Sequence, residues 1–179
     1  MKPLRFIHVP KTGGTSVRKF LLDNNIQFYY GQEPKQVGRH RYASAWKDEE
    51  SYKFAIVRNP YARTVSYYNY TTNKSWNPTF EDFVKNKMIN KSLKVPNVWI
   101  PQVSWLYKND LCLVDKIFKL EDNLEDNLNS FFNIKGKLTE ENKSTHDGYE
   151  SYYTQELKIL VADYFKEDFQ KLRYNIRKY

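Results

Sequence analysis

The strongest constraint on the fold lies in the first 25 residues. Residues 4–9 form a short, mostly apolar run that Pro10 closes, and the chain then enters Lys11-Thr12-Gly13-Gly14-Thr15-Ser16. Beyond the glycines, Val17, Phe20 and Leu21 recur at helical spacing until Asp23-Asn24-Asn25. This is a strand, a glycine turn and a helix. The same order returns downstream. Residues 52–57 (YKFAIV) read as a strand buried on both faces, followed by Arg58-Asn59-Pro60, with Pro60 in the first turn of a helix reaching about Tyr70. Residues 115–120 read as a strand and 121–132 as a helix. Residues 79–88 and 152–173 read as helical, the latter broken near 166–168. A short strand is expected over 26–30 and a polar loop over 135–148, while 90–112, with two prolines and two tryptophans, fits no single element. Strands alternating with helices predict an α/β fold, a mostly parallel central sheet flanked by helices.

At 179 residues the chain has room for one domain, expected to span 1–179. Its 15 Tyr, 11 Phe and 4 Trp argue for a packed core rather than disorder. A single cysteine, Cys112, excludes an internal disulfide framework and a cysteine-ligated zinc site. Neither a leader-like segment nor a run of about 20 apolar residues is visible, so the chain reads as soluble, without membrane insertion, and is expected in the cytoplasm. The formal charge of +8 makes anionic partners the first to consider: nucleic acid, anionic glycan or a phosphorylated cofactor.

Two turns carry the chemistry. In the first, backbone N–H groups and the positive end of a helix dipole converge on one spot, Gly13 and Gly14 allow close backbone approach, Lys11 adds charge, and Thr15 and Ser16 add hydroxyls. It is not a Walker A loop, because Lys11 precedes both glycines. Taken alone, the turn is equally readable as a plain β-turn with a capping hydroxyl. In the second, Arg58 stands at the C-terminal end of its strand, where ligands of open α/β sheets collect, and Ser66 follows two helical turns later. Arg58 in a structural ion pair and a merely tolerated Ser66 form the plainer alternative. Together the turns suit a ligand with two separated anionic groups.

FIHVPKTGGTS and FAIVRNPYARTVSYYNY together resemble the sulfotransferases that use 3′-phosphoadenosine 5′-phosphosulfate (PAPS). The likeness is strongest to the carbohydrate-sulfating group that includes heparan 2-O-sulfotransferases and small bacterial relatives. PQVSWLY, FKLEDNLEDNL and ENKSTHDGYESYY extend it over most of the chain. The resemblance implies a P-loop-NTPase-like α/β fold and transfer of a sulfuryl group from PAPS to a hydroxyl acceptor, with a glycan expected, PAP as product and no metal. It implies that Lys11, Thr12, Gly13, Gly14, Thr15 and Ser16 cradle the 5′-phosphosulfate and that Arg58 and Ser66 hold the 3′-phosphate. It also implies that a loop with Asn142, Lys143, Ser144 and Thr145 closes over the nucleotide, where a solvated loop is the plainer reading. Lys11 and His40 are the catalytic candidates. His40 lies between the two anion motifs, where such enzymes keep a catalytic histidine, and its ordinary pKa near 6.5 suits a general base. Arg39 and Arg41 flank it, and a solvated surface histidine is the alternative; Glu33 and Asp48 are substitutes. His8, inside the first strand, reads as a packed structural residue, and His146 as part of the polar loop. Tyr67, Tyr68, Tyr70, Trp76, Trp99, Trp105 and Tyr107 are stacking candidates that read more simply as core. Two rival functions remain. A nucleotide kinase lacks its Walker A lysine, and a basic nucleic-acid module leaves the paired turns unexplained.

Overall fold

The computed structural model describes residues 2–29, 42–46, 50–72, 78–89, 100–139 and 148–176. In chain order its elements are β1 (Leu4–Ile7), α1 (Gly14–Asp23), β2 (Tyr52–Val57), α2 (Pro60–Thr72), α3 (Phe80–Asp82), α4 (Val103–Leu106), β3 (Tyr107–Lys108), β4 (Leu111–Cys112), β5 (Lys116–Lys119), α5 (Leu124–Phe132), α6 (Gln155–Tyr164) and α7 (Lys166–Lys171). They fall into two compact units, residues 1–58 with 104–143 and residues 59–103 with 144–179.

The first unit holds a three-stranded parallel sheet in the order β1-β2-β5, with Ile7 opposite Ala55 and Val57 opposite Lys119. This is the expected α/β class. In the central strand β2, Phe54, Ala55, Ile56 and Val57 are fully buried, which is why YKFAIV lacks polar alternation. Helix α1 turns Val17, Phe20 and Leu21 inward onto Phe6, Phe54, Ile56 and Phe118. Each such large apolar side chain contributes roughly 1.5–3 kcal/mol by leaving water. The rings of Phe54 and Phe6 stack at 5.0 Å and those of Phe6 and His8 at 5.6 Å, so an aromatic column crosses from β2 over β1. Of the strand expected over 26–30, the described residues 26–29 form one bridge. Tyr29 pairs with Arg5, its carbonyl accepting from Phe6 N–H at 3.0 Å and its N–H donating to the Leu4 carbonyl at 2.8 Å. Helix α5 starts at Leu124 rather than at 121, because Asn123 adopts left-handed backbone (φ 43°) that no helix can include.

In the second unit, Asn59 caps α2: its Oδ1 accepts from Tyr61 N–H at 2.9 Å, and Pro60 occupies the first helical position, where a missing N–H costs nothing. Thr79 caps α3 in the same way through Asp82 N–H at 3.1 Å, and the helix runs on as a π-helical stretch, Phe83–Ile89. Phe165 separates α6 from α7, where the sequence predicts a break. Tyr61, Val65, Phe80, Phe83, Leu157, Val161 and Phe169 are among the residues of this unit's own core.

That unit also buries a charged pair the sequence does not announce. The Asp168 carboxylate accepts from Gln102 N–H and Val103 N–H, both at 2.9 Å, and from Gln102 Nε2 at 3.2 Å. Burial pushes its pKa up, while the Arg63 charge and these hydrogen bonds pull it down. Arg63 is buried as well and donates to the Ile100 carbonyl at 3.2 Å. Burial lowers its pKa to about 10, with the charge of Asp168 opposing the shift. Residues 100–103 are thus held by two buried charges, Ile100 by Arg63 and Gln102 and Val103 by Asp168.

Candidate functional site

The first unit brings two of the expected cations to one edge of its sheet. β1 and β2 are parallel neighbours, so the turn after Ile7 and Arg58, which follows Val57, leave the sheet at its C-terminal side. Lys11 sits in left-handed backbone (φ 66°), as does Gly13 (φ 78°). Between them Thr12 is completely buried and its hydroxyl donates to the Val9 carbonyl at 2.9 Å. The resemblance implies a ligand role for Thr12; its hydroxyl proton closes the turn onto Val9, which leaves the hydroxyl oxygen and the backbone amide for other contacts. A non-glycine residue at positive φ stores roughly 1–3 kcal/mol of strain, and such strain clusters at functional sites.

The electrostatics of this turn favour an anion. Burial, joined by the positive charge of Arg58, lowers the pKa of the Lys11 ammonium from 10.5 to about 8. Two cations that repel each other at the end of a sheet are both relieved by a negative charge between them. Helix α1 opens at Gly14 with no side-chain cap at Gly13 and no acidic residue in its first turn. Its leading N–H groups and dipole therefore add to the same positive field. Ser16 is 8% exposed and Thr15 is exposed, so of the two hydroxyls it is Thr15 that faces solvent.

The two glycines differ in their reason for being glycine. Gly13 needs its left-handed backbone, and a Cβ there would also lie 3.0 Å from Leu120 Cδ1. Gly14 has no such conformational demand. A Cβ at Gly14 would overlap Cδ2, Nε2 and Cε1 of His8, the last at 2.8 Å. The room that sequence reasoning gives to a ligand beside these residues is, in the Cβ direction, filled by the protein's own side chains.

Ser66 lies in the second unit, on α2, and is partly exposed. His40, Lys143, Ser144 and Thr145 lie outside the described residues, as do Glu33, Arg39, Arg41, Asp48, Asn142, His146, Trp76 and Trp99. Of the stacking candidates, Trp105 and Tyr67 are buried, and Tyr42 stacks on Trp105 at 4.4 Å. His8 is packed as expected, but it lies just beyond β1, which ends at Ile7, rather than inside the strand. Sequence reasoning missed Leu120 as a neighbour of Gly13, since only the pairing of β2 with β5 carries it there; the Leu120 N–H donates to the Val57 carbonyl at 2.9 Å.

Among the described residues no group of three or more His, Cys, Asp or Glu is placed to hold a metal ion, and no helix is long and apolar enough to cross a membrane. The family model described as the sulfotransferase family matches residues 2–178. No curated protein matches the chain.

Proposed function

The chain belongs to the sulfotransferase family, and from that premise we propose that it transfers the sulfuryl group of PAPS to a hydroxyl group of a carbohydrate acceptor. The observation that carries this reading is the pair Lys11 and Arg58 at the uncapped, acid-free start of α1. That arrangement fits a doubly charged phosphate ester better than any cation or neutral group.

PAPS supplies a sulfuryl group already activated by its phosphate leaving group. Sulfuryl transfer resembles phosphoryl transfer, so positioning and electrostatics carry most of the catalysis. In this reading the amides of Gly13, Gly14, Thr15 and Ser16 hold the 5′-phosphosulfate end, and Lys11 offsets the charge that builds on the leaving oxygen. Thr12 keeps the turn closed through Val9. Arg58 and Ser66 bind the 3′-phosphate and select PAPS over nucleotides that lack it. His40 takes the acceptor's proton, and Lys143, Ser144 and Thr145 close over the nucleotide.

The test is a ligand series followed by thermal melting. PAP should stabilise the protein more than AMP, ADP or ATP, because only PAP carries a 3′-phosphate. A ligand at 100 times its Kd adds roughly 2.7 kcal/mol, an easily read shift. Equal shifts from AMP and PAP would remove the 3′-phosphate from the proposal. Salt-sensitive binding of nucleic acid with no PAP binding would replace the proposal altogether.

A further inference from the structure

We infer that His8 is a positioning residue, a wedge from the sheet that seats the first residue of α1, and that Gly14 is glycine in order to receive it. His8 is 6% exposed, and its ring continues the Phe54–Phe6 column at 5.6 Å and 13° from parallel. The far edge of that ring occupies the volume where any side chain at position 14 would begin. Gly14 itself has no left-handed backbone, since Gly13 is the glycine in this turn with positive φ. Its lack of a side chain therefore answers to packing alone. The column has a defined origin: Phe54 is completely buried in the central strand. A chain of close-packed rings transmits position because interiors yield little to compression. Next to Gly14, Leu120 contacts the place of a Cβ at Gly13. His8 and Leu120 together set where the N–H groups of the turn point.

The inference rests on the reading of this turn as the donor site only for its consequence in binding; the wedge itself is tested without ligand. Four proteins are compared: the unaltered chain, His8→Ala, Gly14→Ala and the double variant. Gly14→Ala should lower the melting temperature and weaken PAP binding about tenfold or more, since a methyl group is forced into the ring. Removing the ring should make room for that methyl group, so the double variant should melt above Gly14→Ala and recover PAP affinity to within about threefold of His8→Ala. If Gly14→Ala does not fold, folding of the double variant is the rescue. His8→Ala by itself should raise KM for PAPS by a larger factor than it lowers kcat, as loss of positioning requires. Additive losses in the double variant, or a Gly14→Ala protein that melts and binds normally, would overturn the wedge. A rescue in melting temperature with no PAP binding in any of the four would leave the wedge standing and sink the donor reading instead.

Discussion

Arg58 and Lys11 leave neighbouring parallel strands at the same edge of the sheet, and the charge of the first adds to burial in holding the second at about 8. The proximity of these two positive charges is set by backbone topology. Neither residue needs a neighbour in sequence to find the other; the register of β1 against β2 brings them together.

That relationship makes PAP binding depend on pH with a definite sign. In the free protein the Lys11 ammonium loses its proton around its pKa of about 8. A bound phosphate favours the charged form and raises the pKa in the complex, so binding near pH 8 takes up a proton. Affinity should be flat well below 8 and fall as pH rises through 8 toward the pKa of the complex. Calorimetry in buffers of different ionisation enthalpy should detect proton uptake at pH 8, little of it roughly two units lower, and none in Lys11→Ala. Uptake that persists unchanged in Lys11→Ala would assign the proton to another group.

The two cations should fail differently when removed. Arg58→Ala loses a contact made equally in ground and transition states, so KM for PAPS should rise and PAP binding weaken while kcat changes little. Lys11→Ala loses charge that matters most as the leaving oxygen becomes negative, so kcat should carry the larger loss. Steady-state kinetics on both variants decides this. Matching changes in both parameters for both variants would show that the roles are not divided.

The proposed base gives a third expectation. His40→Ala should lower kcat by about 10²- to 10⁴-fold with PAP affinity nearly unchanged. In the unaltered enzyme kcat should rise with pH around or somewhat below the ordinary histidine value of about 6.5, because Arg39 and Arg41 disfavour the imidazolium. Near-normal turnover in His40→Ala would turn attention to Glu33, Asp48 or His146.

The buried pair in the second unit predicts a stability effect. Asp168→Ala removes the charge that opposes the buried Arg63 guanidinium and the acceptor for Gln102 N–H and Val103 N–H. Breaking a buried pair from one side costs about 3–5 kcal/mol, so denaturant melts should shift far to lower concentration. An Asp168→Ala protein as stable as the unaltered chain would mean that the Arg63–Asp168 pair adds nothing to the fold.

Much of this protein is legible in one dimension because its signals are local. The mostly apolar run YKFAIV reads as a covered central strand, since the four consecutive apolar residues Phe54 to Val57 leave no face of that stretch suited to water. Asn59-Pro60 and the glycine turn before Val17 mark helix starts through hydrogen bonds and dihedral angles confined to a few residues. The family likeness carried by Lys11 to Ser16 is local in the same way. What lies between distant residues was decided by tertiary structure alone. Among the described residues 26–29, only Tyr29 forms a bridge, with Arg5, because a strand's extent depends on its partner's register. The short range of its own apolar pattern does not limit it. Thr12 turns its hydroxyl to Val9, and Gly14 yields to His8, because three-dimensional packing allots each small volume once. Asp168 meets the amides of Gln102 and Val103 across more than sixty residues of chain, within the electrostatic reach of Arg63. Such a pairing leaves no trace in spacing, for burial of charge is governed by what the folded chain puts around it.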